Sequence, residues 1–301
     1  MDVSIIIVNY NTKDLTRDCL SSVFEKTSGV DFDVYVVDNA SSDGSQEMVR
    51  TEFPQVKLIA NGTNIGFGCA NNIALRRTSS KYVFLLNSDT VLLNNAVKIF
   101  HDYCETHVRD RLGGTGGFLL NTEGRVIHSY RKFDTISGTI LLLAESFIKD
   151  RIFGVERWNR LIGKKARGQD LMPGELTVDY VTGADLFIAK SVLDDVGLFD
   201  ENFFMYSEEA DLQKRMRLKG YSQRVIRGPE IIHLEGKSSR QSLSKRAMIY
   251  GGKFRYMRKY HSRCLLWIGK ICFLLMELPV IFLAKESFSD KVKYIRSWSK
   301  F

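Results

Sequence analysis

The sequence is poor in proline, with four residues in 301, which argues against a proline-rich linker architecture. It has five cysteines, Cys19, Cys69, Cys104, Cys264 and Cys272, an odd number with no Cys-x-x-Cys pair. Neither a disulfide framework nor a zinc site is indicated, and a reducing, cytoplasmic compartment is expected. There is no G-x-x-x-x-G-K-[ST] loop and no G-x-S-x-G elbow, so neither a P-loop nor that hydrolase chemistry is expected. The run IGFGCA at 65–70 approaches a dinucleotide fingerprint. Asn71 stands where Gly or Ala is required, however, and the loop follows the third apolar run instead of the first. The start, MDVSIIIVNYN, has a short apolar run, no basic region before it and no small-residue cleavage site, so it is not expected to be a signal peptide.

What remains is an ordinary globular composition, 44% hydrophobic and 26% charged. The net charge is +8, but it is unevenly spread. Residues 237–301 hold 15 Lys/Arg against 3 Asp/Glu, and the other 236 hold 28 against 32. A mildly acidic body thus carries a basic tail. Nucleic-acid proteins usually carry positive charge as a surface of the folded domain, so no nucleic-acid partner is expected. A basic tail mixed with apolar residues suits a membrane surface.

Four apolar, β-branched runs fall in the first 90 residues: 3–10, 32–38, 56–60 and 82–89. Helical patterns lie between them at 12–27, 45–52 and 67–78, with Thr12 as the expected N-cap of the first. This alternation predicts an α/β fold with a mostly parallel sheet. Residues 113–133 read as strand and hairpin with a turn at Asn121–Gly124, and 138–148 as an apolar helix. Residues 177–190 read as strand, turn, strand, and 206–220 as a helix capped by Ser207. A strand and loop at 222–236 carries His233.

Ligands of open parallel sheets bind at the carboxyl ends of the strands. Here those ends carry Asn9 and Asn11, Asp38 and Asn39, Asn64, Asn87 and Asp89. Singly, each could be a turn residue or cap. As a set they point to a site. Asp89 is placed to hold a hard divalent cation beside a phosphate, or else to bind its own turn. His233 becomes a ligand candidate only if it meets Asp89 in space. Glu208 and Asp211 share a helix face and Glu209 points elsewhere, so one face can be structural and the other catalytic. Acidic residues there also suit the helix dipole. Residues 264–284 are apolar apart from Lys270 and Glu277 and include Pro279. The readings left open are a helix lying in a membrane interface, a buried helix, and a spanning helix.

Taken in order, SIIIVNYN, VVDNASSDGS, NIGFGCANN with LLNSDT, and TGADLFIAKSVLDDVGLFDENFFMYSEEADLQKRMRLKGY with a later His resemble the inverting family 2 nucleotide-sugar glycosyltransferases. The resemblance covers roughly residues 3–236 and is nearest to the rhamnosyltransferase-like enzymes of bacterial surface-polysaccharide assembly. It implies a GT-A fold over 1–236, with a nucleotide-binding half at 1–100 and an acceptor and catalytic half at 101–236. A basic, amphipathic helical region would follow at 237–301. Asn9, Tyr10 and Asn11 would line the base pocket, and Asp38 would bind base or ribose. Asn64, Gly66, Phe67 and Asn87 would shape the nucleotide and diphosphate site. Asp89, at the last position of a DxD-type motif that here has Asn87 in place of the first Asp, would bind Mg²⁺ or Mn²⁺ with His233. Gly183, Ala184, Asp185 and Glu208 would border donor sugar and acceptor. Glu209 falls on the catalytic base, where Asp is more usual.

The implied reaction moves rhamnose or another hexose from a dTDP- or UDP-linked donor to a hydroxyl of a glycan or lipid-linked acceptor. The expected location is the inner face of the cell membrane, and a homo-oligomer is possible through the C-terminal helices. Two other readings compete with this one. A nucleotidyltransferase would need a Gly-rich basic loop after the first strand, which Asn9-Tyr10-Asn11-Thr12 does not offer. A catalytically silent sugar-nucleotide-binding or scaffold subunit is the other.

Overall fold

The computed structural model describes residues 1–148, 172–234, 242–283 and 286–298. In chain order its elements begin β1 (Val3–Asn9), α1 (Lys13–Lys26), β2 (Phe32–Asp38), α2 (Ser45–Glu52), β3 (Lys57–Ala60) and α3 (Phe67–Leu75). Next come β4 (Tyr82–Asn87), β5 (Thr90–Leu92), α4 (Ala96–Thr106), β6 (Leu112–Gly117), β7 (Tyr130–Arg131) and α5 (Ile136–Ile148). Then follow β8 (Glu175–Val178), β9 (Tyr180–Val181), β10 (Asp185–Ala189), α6 (Lys190–Val196) and α7 (Glu208–Leu218). The last are β11 (Ser222–Ile226), β12 (Ile231–His233), α8 (Leu243–Tyr260), α9 (Arg263–Leu283) and α10 (Phe288–Ser297).

The chain divides into two compact units. One is Met1–Phe133, Arg167–Phe204 and Glu208–Lys237, and the other is Asp134–Ala166, Met205–Ser207 and Ser238–Phe301. The apolar helix α5 thus groups with the C-terminal helices, whereas the sequence suggested a boundary at 236.

The first unit is built on an eight-stranded sheet in the order β3-β2-β1-β4-β10-β6-β11-β8. The β3-β2-β1-β4 half is parallel, as the βαβ alternation predicted. β10 enters antiparallel beside β4 and β6, and β8 is an antiparallel edge on β11. β1 shows why an unbroken apolar run suits this position. Successive side chains alternate between faces, and both faces are covered. Ile5 and Ile7 join Leu20, Val23, Val97 and Phe100 on one side. Ile6 joins Ala70, Ala74, Leu212 and Met216 on the other. The register then fixes the site, since Asn9 is paired with Asp38 and Val8 with Asn87 at the carboxyl edge.

β6, LGGTGG, is glycine-rich because other side chains cross it. A Cβ on Gly116 would come within 2.3 Å of the Val181 side chain. Two caps differ from expectation. The Thr12 hydroxyl donates to Asn9 Oδ1 (2.6 Å) and makes no cap bond, while Asp43 Oδ2 accepts from Lys13 N–H (2.8 Å) in its place. Ser207 has φ +70°, in the left-handed region where an N-cap is normally extended. His233, expected on a loop, is the last residue of β12, which pairs with β5 in a small sheet that the sequence did not suggest.

In the second unit Glu277 of α9 is buried and accepts from the Arg246 guanidinium and from Tyr294 Oη (2.9 Å). α9 and α5 approach so closely that a Cβ on Gly269 would lie 3.0 Å from Ile136. The opposite side of α9 is apolar and exposed. Leu265, Trp267, Ile268, Ile271, Leu275 and Leu278 are 39–67% exposed. All five cysteines are free thiols.

Candidate active site

Asn9 is fully buried and its amide is saturated. Nδ2 donates to Asp38 Oδ2 (2.7 Å) and Ser41 Oγ (3.0 Å), and Oδ1 accepts from Thr12 and Thr16. Its side chain therefore holds Asp38 and has no capacity left to touch a base, which narrows the role expected of it. Asp38 is buried too and also accepts from Ser41 N–H (2.9 Å) and Gln46 Nε2 (2.7 Å). Tyr10 is half exposed, with its ring available to stack. Asn11 takes φ +54° and accepts from Ser42 N–H (2.8 Å), so it folds the 41–42 turn over the end of β1.

Asn64 Oδ1 accepts from Gly66 N–H (3.0 Å), and Phe67 N–H donates to Phe204 C=O (2.9 Å). Gly66 has φ +89°, and a Cβ there would stand 2.1 Å from that carbonyl oxygen. Any side chain must push the 204 loop away as well as strain the backbone. Gly66→Ala is expected to lower stability by about 2–4 kcal/mol and to lose nucleotide binding, read by thermal unfolding with and without UDP. Unchanged melting would show that the loop yields freely.

Asn87 N–H donates to Ala184 C=O (3.0 Å) and so ties β4 to the start of β10. Two residues on, the β5–β12 pairing carries Asp89 to His233. His233 Nε2 lies 3.2 Å from Asp89 Oδ1, and both side chains are partly exposed. Ligands at neighbouring corners of a six-coordinate ion with bonds of about 2.1 Å stand roughly 3.0 Å apart, so this carboxylate and imidazole fit one ion. Among the described residues no third His, Cys, Asp or Glu joins them. An ion held there would complete its shell with water or phosphate oxygens, as Mg²⁺ commonly does.

Of the 183–185 trio only Gly183 reaches the site. Ala184 is buried in the core. Asp185 is fully buried, accepting from Gly117 N–H (2.6 Å) with Oδ1 unpartnered among the described residues. Burial pushes its carboxyl well above the usual range. These two therefore do not border a substrate, because the antiparallel entry of β10 turns them inward. The unfolded chain releases this proton near pH 4, while the folded chain keeps it. Each pH unit above 4 then favours unfolding by about 1.4 kcal/mol until the folded group ionises. Asp185→Asn should flatten the fall of stability with rising pH and raise the melting temperature at pH 7. An unchanged pH slope would refute the buried acid.

The acidic turn of α7 divides as its spacing suggests. Asp211 is buried, and its Oδ2 accepts from Arg215 Nε (3.0 Å), whose other nitrogens donate to the carbonyls of Val196, Gly197 and Leu198. Glu208 is buried, with Oε2 unpartnered among the described residues. Desolvation first, and Glu209 second, hold its carboxyl well above the ordinary range. It is structural here and does not line the donor or acceptor. Glu209 is partly exposed. Its Cβ and Cγ lie 3.8 Å from where a Gly183 Cβ would stand, and the Phe67 ring lies 3.6 Å from the same point. The fold thus brings Phe67, Gly183 and Glu209 together from three distant segments. Gln213, which the sequence did not flag, secures them. Its amide accepts from Val181 N–H and donates to Val181 C=O, both at 2.8 Å, and also donates to Glu209 C=O (3.2 Å).

Residues 4–115 match the family described as glycosyl transferase family 2. The chain is a glycosyltransferase, with its family 2 match over that segment. It is 25% identical over 243 residues to N-acetylglucosaminyl-diphospho-decaprenol L-rhamnosyltransferase of Mycobacterium tuberculosis, spanning 76% of this chain and 75% of that protein. It is 25% identical over 252 residues to rhamnosyltransferase WbbL of Escherichia coli K12, spanning 81% and 87%. Among solved structures it is similar to S. aureus TarS, with a TM-score of 0.55 and 15% identity over 99% of this chain and 43% of that one. It is also similar to the mannosyltransferase PcManGT of Pyrobaculum calidifontis in complex with GDP-Man and Mn2+, with a TM-score of 0.55 and 16% identity over 99% and 79%. The fold of this glycosyltransferase is the GT-A fold that the resemblance implied.

Proposed function

We propose that this glycosyltransferase moves rhamnose or a related hexose from a dTDP- or UDP-linked donor to a hydroxyl of a lipid-linked or glycan acceptor, with inversion. The observation that carries the reading is the partly exposed Glu209 beside Gly183 and Phe67, in a helix turn whose other carboxylates are buried. Glu209 takes the proton of the acceptor hydroxyl. That oxygen attacks the anomeric carbon opposite the nucleoside diphosphate, whose bond to the sugar breaks in the same displacement. Tyr10 stacks on the base, and the Asp38 carboxylate, set by Asn9, faces base or ribose. Asp89 and His233 would hold Mg²⁺ or Mn²⁺, which when bound supplies positive charge to the departing diphosphate. The relatives named as rhamnosyltransferases support the sugar, and the one named for a diphospho-decaprenol substrate supports a lipid-linked acceptor.

The test is calorimetric titration of UDP, dTDP, GDP and NAD, each with and without Mn²⁺. Metal-dependent binding of UDP or dTDP is expected. Binding of GDP or NAD alone would overturn the donor.

The second unit is read as a membrane-surface element at the cytoplasmic leaflet. No helix among the described residues is long and apolar enough to cross a membrane. The exposed stripe of α9, with Trp267 in it and Arg258, Lys259 and Lys270 nearby in sequence, suits an anionic interface. Replacing Trp267, Ile268, Ile271 and Leu275 by Gln should abolish co-sedimentation with phosphatidylglycerol vesicles. Vesicle binding that survives in a folded variant would refute this anchor.

A further inference from the structure

One ribbon beside the catalytic turn has no role in the mechanism above. Segment 128–132 runs along β9, with Tyr130 paired with Val181 and Arg131 with Tyr180. The Thr182 N–H and hydroxyl both donate to Ser129 C=O, at 3.0 and 3.3 Å. The ribbon is therefore stitched to the residue that precedes Gly183, about one strand spacing from it. Gln213 clamps the same stretch of β9 to α7.

His128, Tyr130, Arg131 and Lys132 are all exposed on this ribbon. Exposed cations of this unit are commonly paired, as in Lys57–Asp33, Arg76–Glu201 and Lys81–Glu105. Arg131 and Lys132 are adjacent and make no ion pair among the described residues. The charge around them adds to theirs. Lys214 of α7 stands over the Phe133 ring at 4.8 Å. The nearby carboxylate, Asp179, is already engaged by Phe133 N–H (3.0 Å) and by Arg217 (3.7 Å). An acidic body thus presents a local positive edge along the ribbon that starts beside Gly183.

We propose that Arg131 and Lys132 form a subsite for a phosphate or diphosphate group of the acceptor, and so select a phosphate-bearing acceptor over a neutral glycan. The proposal rests on the acceptor reading above. An arginine fork and a lysine ammonium are the side chains suited to phosphate oxygens. The position suits an extended acceptor: the Ser129 end of the ribbon is tied to Thr182 beside Gly183, where the attacking hydroxyl must sit, and Arg131, opposite Tyr180, and Lys132 lie roughly 10–14 Å further along. Tyr130, exposed between them and His128, offers a flat apolar surface for the sugar that bears the hydroxyl.

The test compares two synthetic acceptors, undecyl diphosphate-linked N-acetylglucosamine and undecyl N-acetylglucosaminide, at saturating Mn²⁺. The wild type should favour the diphosphate. In the variant Arg131→Gln/Lys132→Gln, the ratio of kcat/KM for the two should fall by roughly 10- to 100-fold, through KM for the diphosphate. An unchanged ratio overturns the subsite. A fall in dTDP or UDP affinity that matches the loss of transfer also overturns it, by assigning the cations to the donor. If the wild type glycosylates neither compound, the acceptor reading fails separately. Calorimetric binding of the undecyl diphosphate compound then decides the subsite alone. Binding lost in the variant upholds it, and binding equal in both overturns it.

Discussion

Glu209→Gln should lower sugar transfer by about 10²- to 10⁴-fold, the usual contribution of a positioned general base, while nucleotide affinity stays at the wild-type value. The amide keeps the size of the side chain beside Gly183 and Phe67 but cannot accept the hydroxyl proton. Its neighbour supplies the control. Glu208 is buried, and desolvation first and the nearby Glu209 second push its carboxyl well above the ordinary range. Glu208→Gln keeps the shape of this buried side chain, so activity should persist. Glu208→Ala leaves a gap against Gly68, whose Cβ position lies 3.5 Å from Glu208 Cβ, and should destabilise the turn. Single-turnover transfer and nucleotide titration on all three variants check this. Equal inactivation by Glu208→Gln and Glu209→Gln would sink the division of labour between adjacent carboxylates.

Asp89→Ala should abolish the metal-dependent part of UDP or dTDP binding and reduce transfer to near background. The carboxylate supplies the negative charge of the pair, whereas His233 is a neutral donor. His233→Ala should therefore weaken metal dependence less than Asp89→Ala. Titrating Mn²⁺ in the presence of UDP against both variants reads the difference. Full metal dependence in Asp89→Ala would remove it from the ligand set.

Much of the first unit was legible from patterning, because burial on both faces of a parallel strand demands the unbroken apolar runs seen at 3–9 and 32–38. The strand-end residues were legible for the same reason, since chain topology puts carboxyl ends on one edge. What patterning missed were effects of long-range hydrogen bonding. By pattern Asn9 reads as a ligand, but it is a buried brace of Asp38, because Thr12, Thr16 and Ser41 converge on its amide. By pattern Ala184 and Asp185 read as pocket lining. β10 enters between β4 and β6 and turns them inward, and nothing local in TGAD signals that.

By itself the sequence determined the α/β class, the resemblance to family 2 glycosyltransferases and the acidic body with its basic tail, because each depends on spacing or composition along the chain. Only the tertiary structure decided that His233 meets Asp89, through a β5–β12 pairing of segments some 140 residues apart. It alone decided that Phe67, Gly183 and Glu209 share one corner. It also laid the 128–132 ribbon along β9, with Ser129 tied to Thr182 and Arg131 opposite Tyr180. These are contacts between segments whose separation carries no period to read, and they form only once the sheet order brings their strands together.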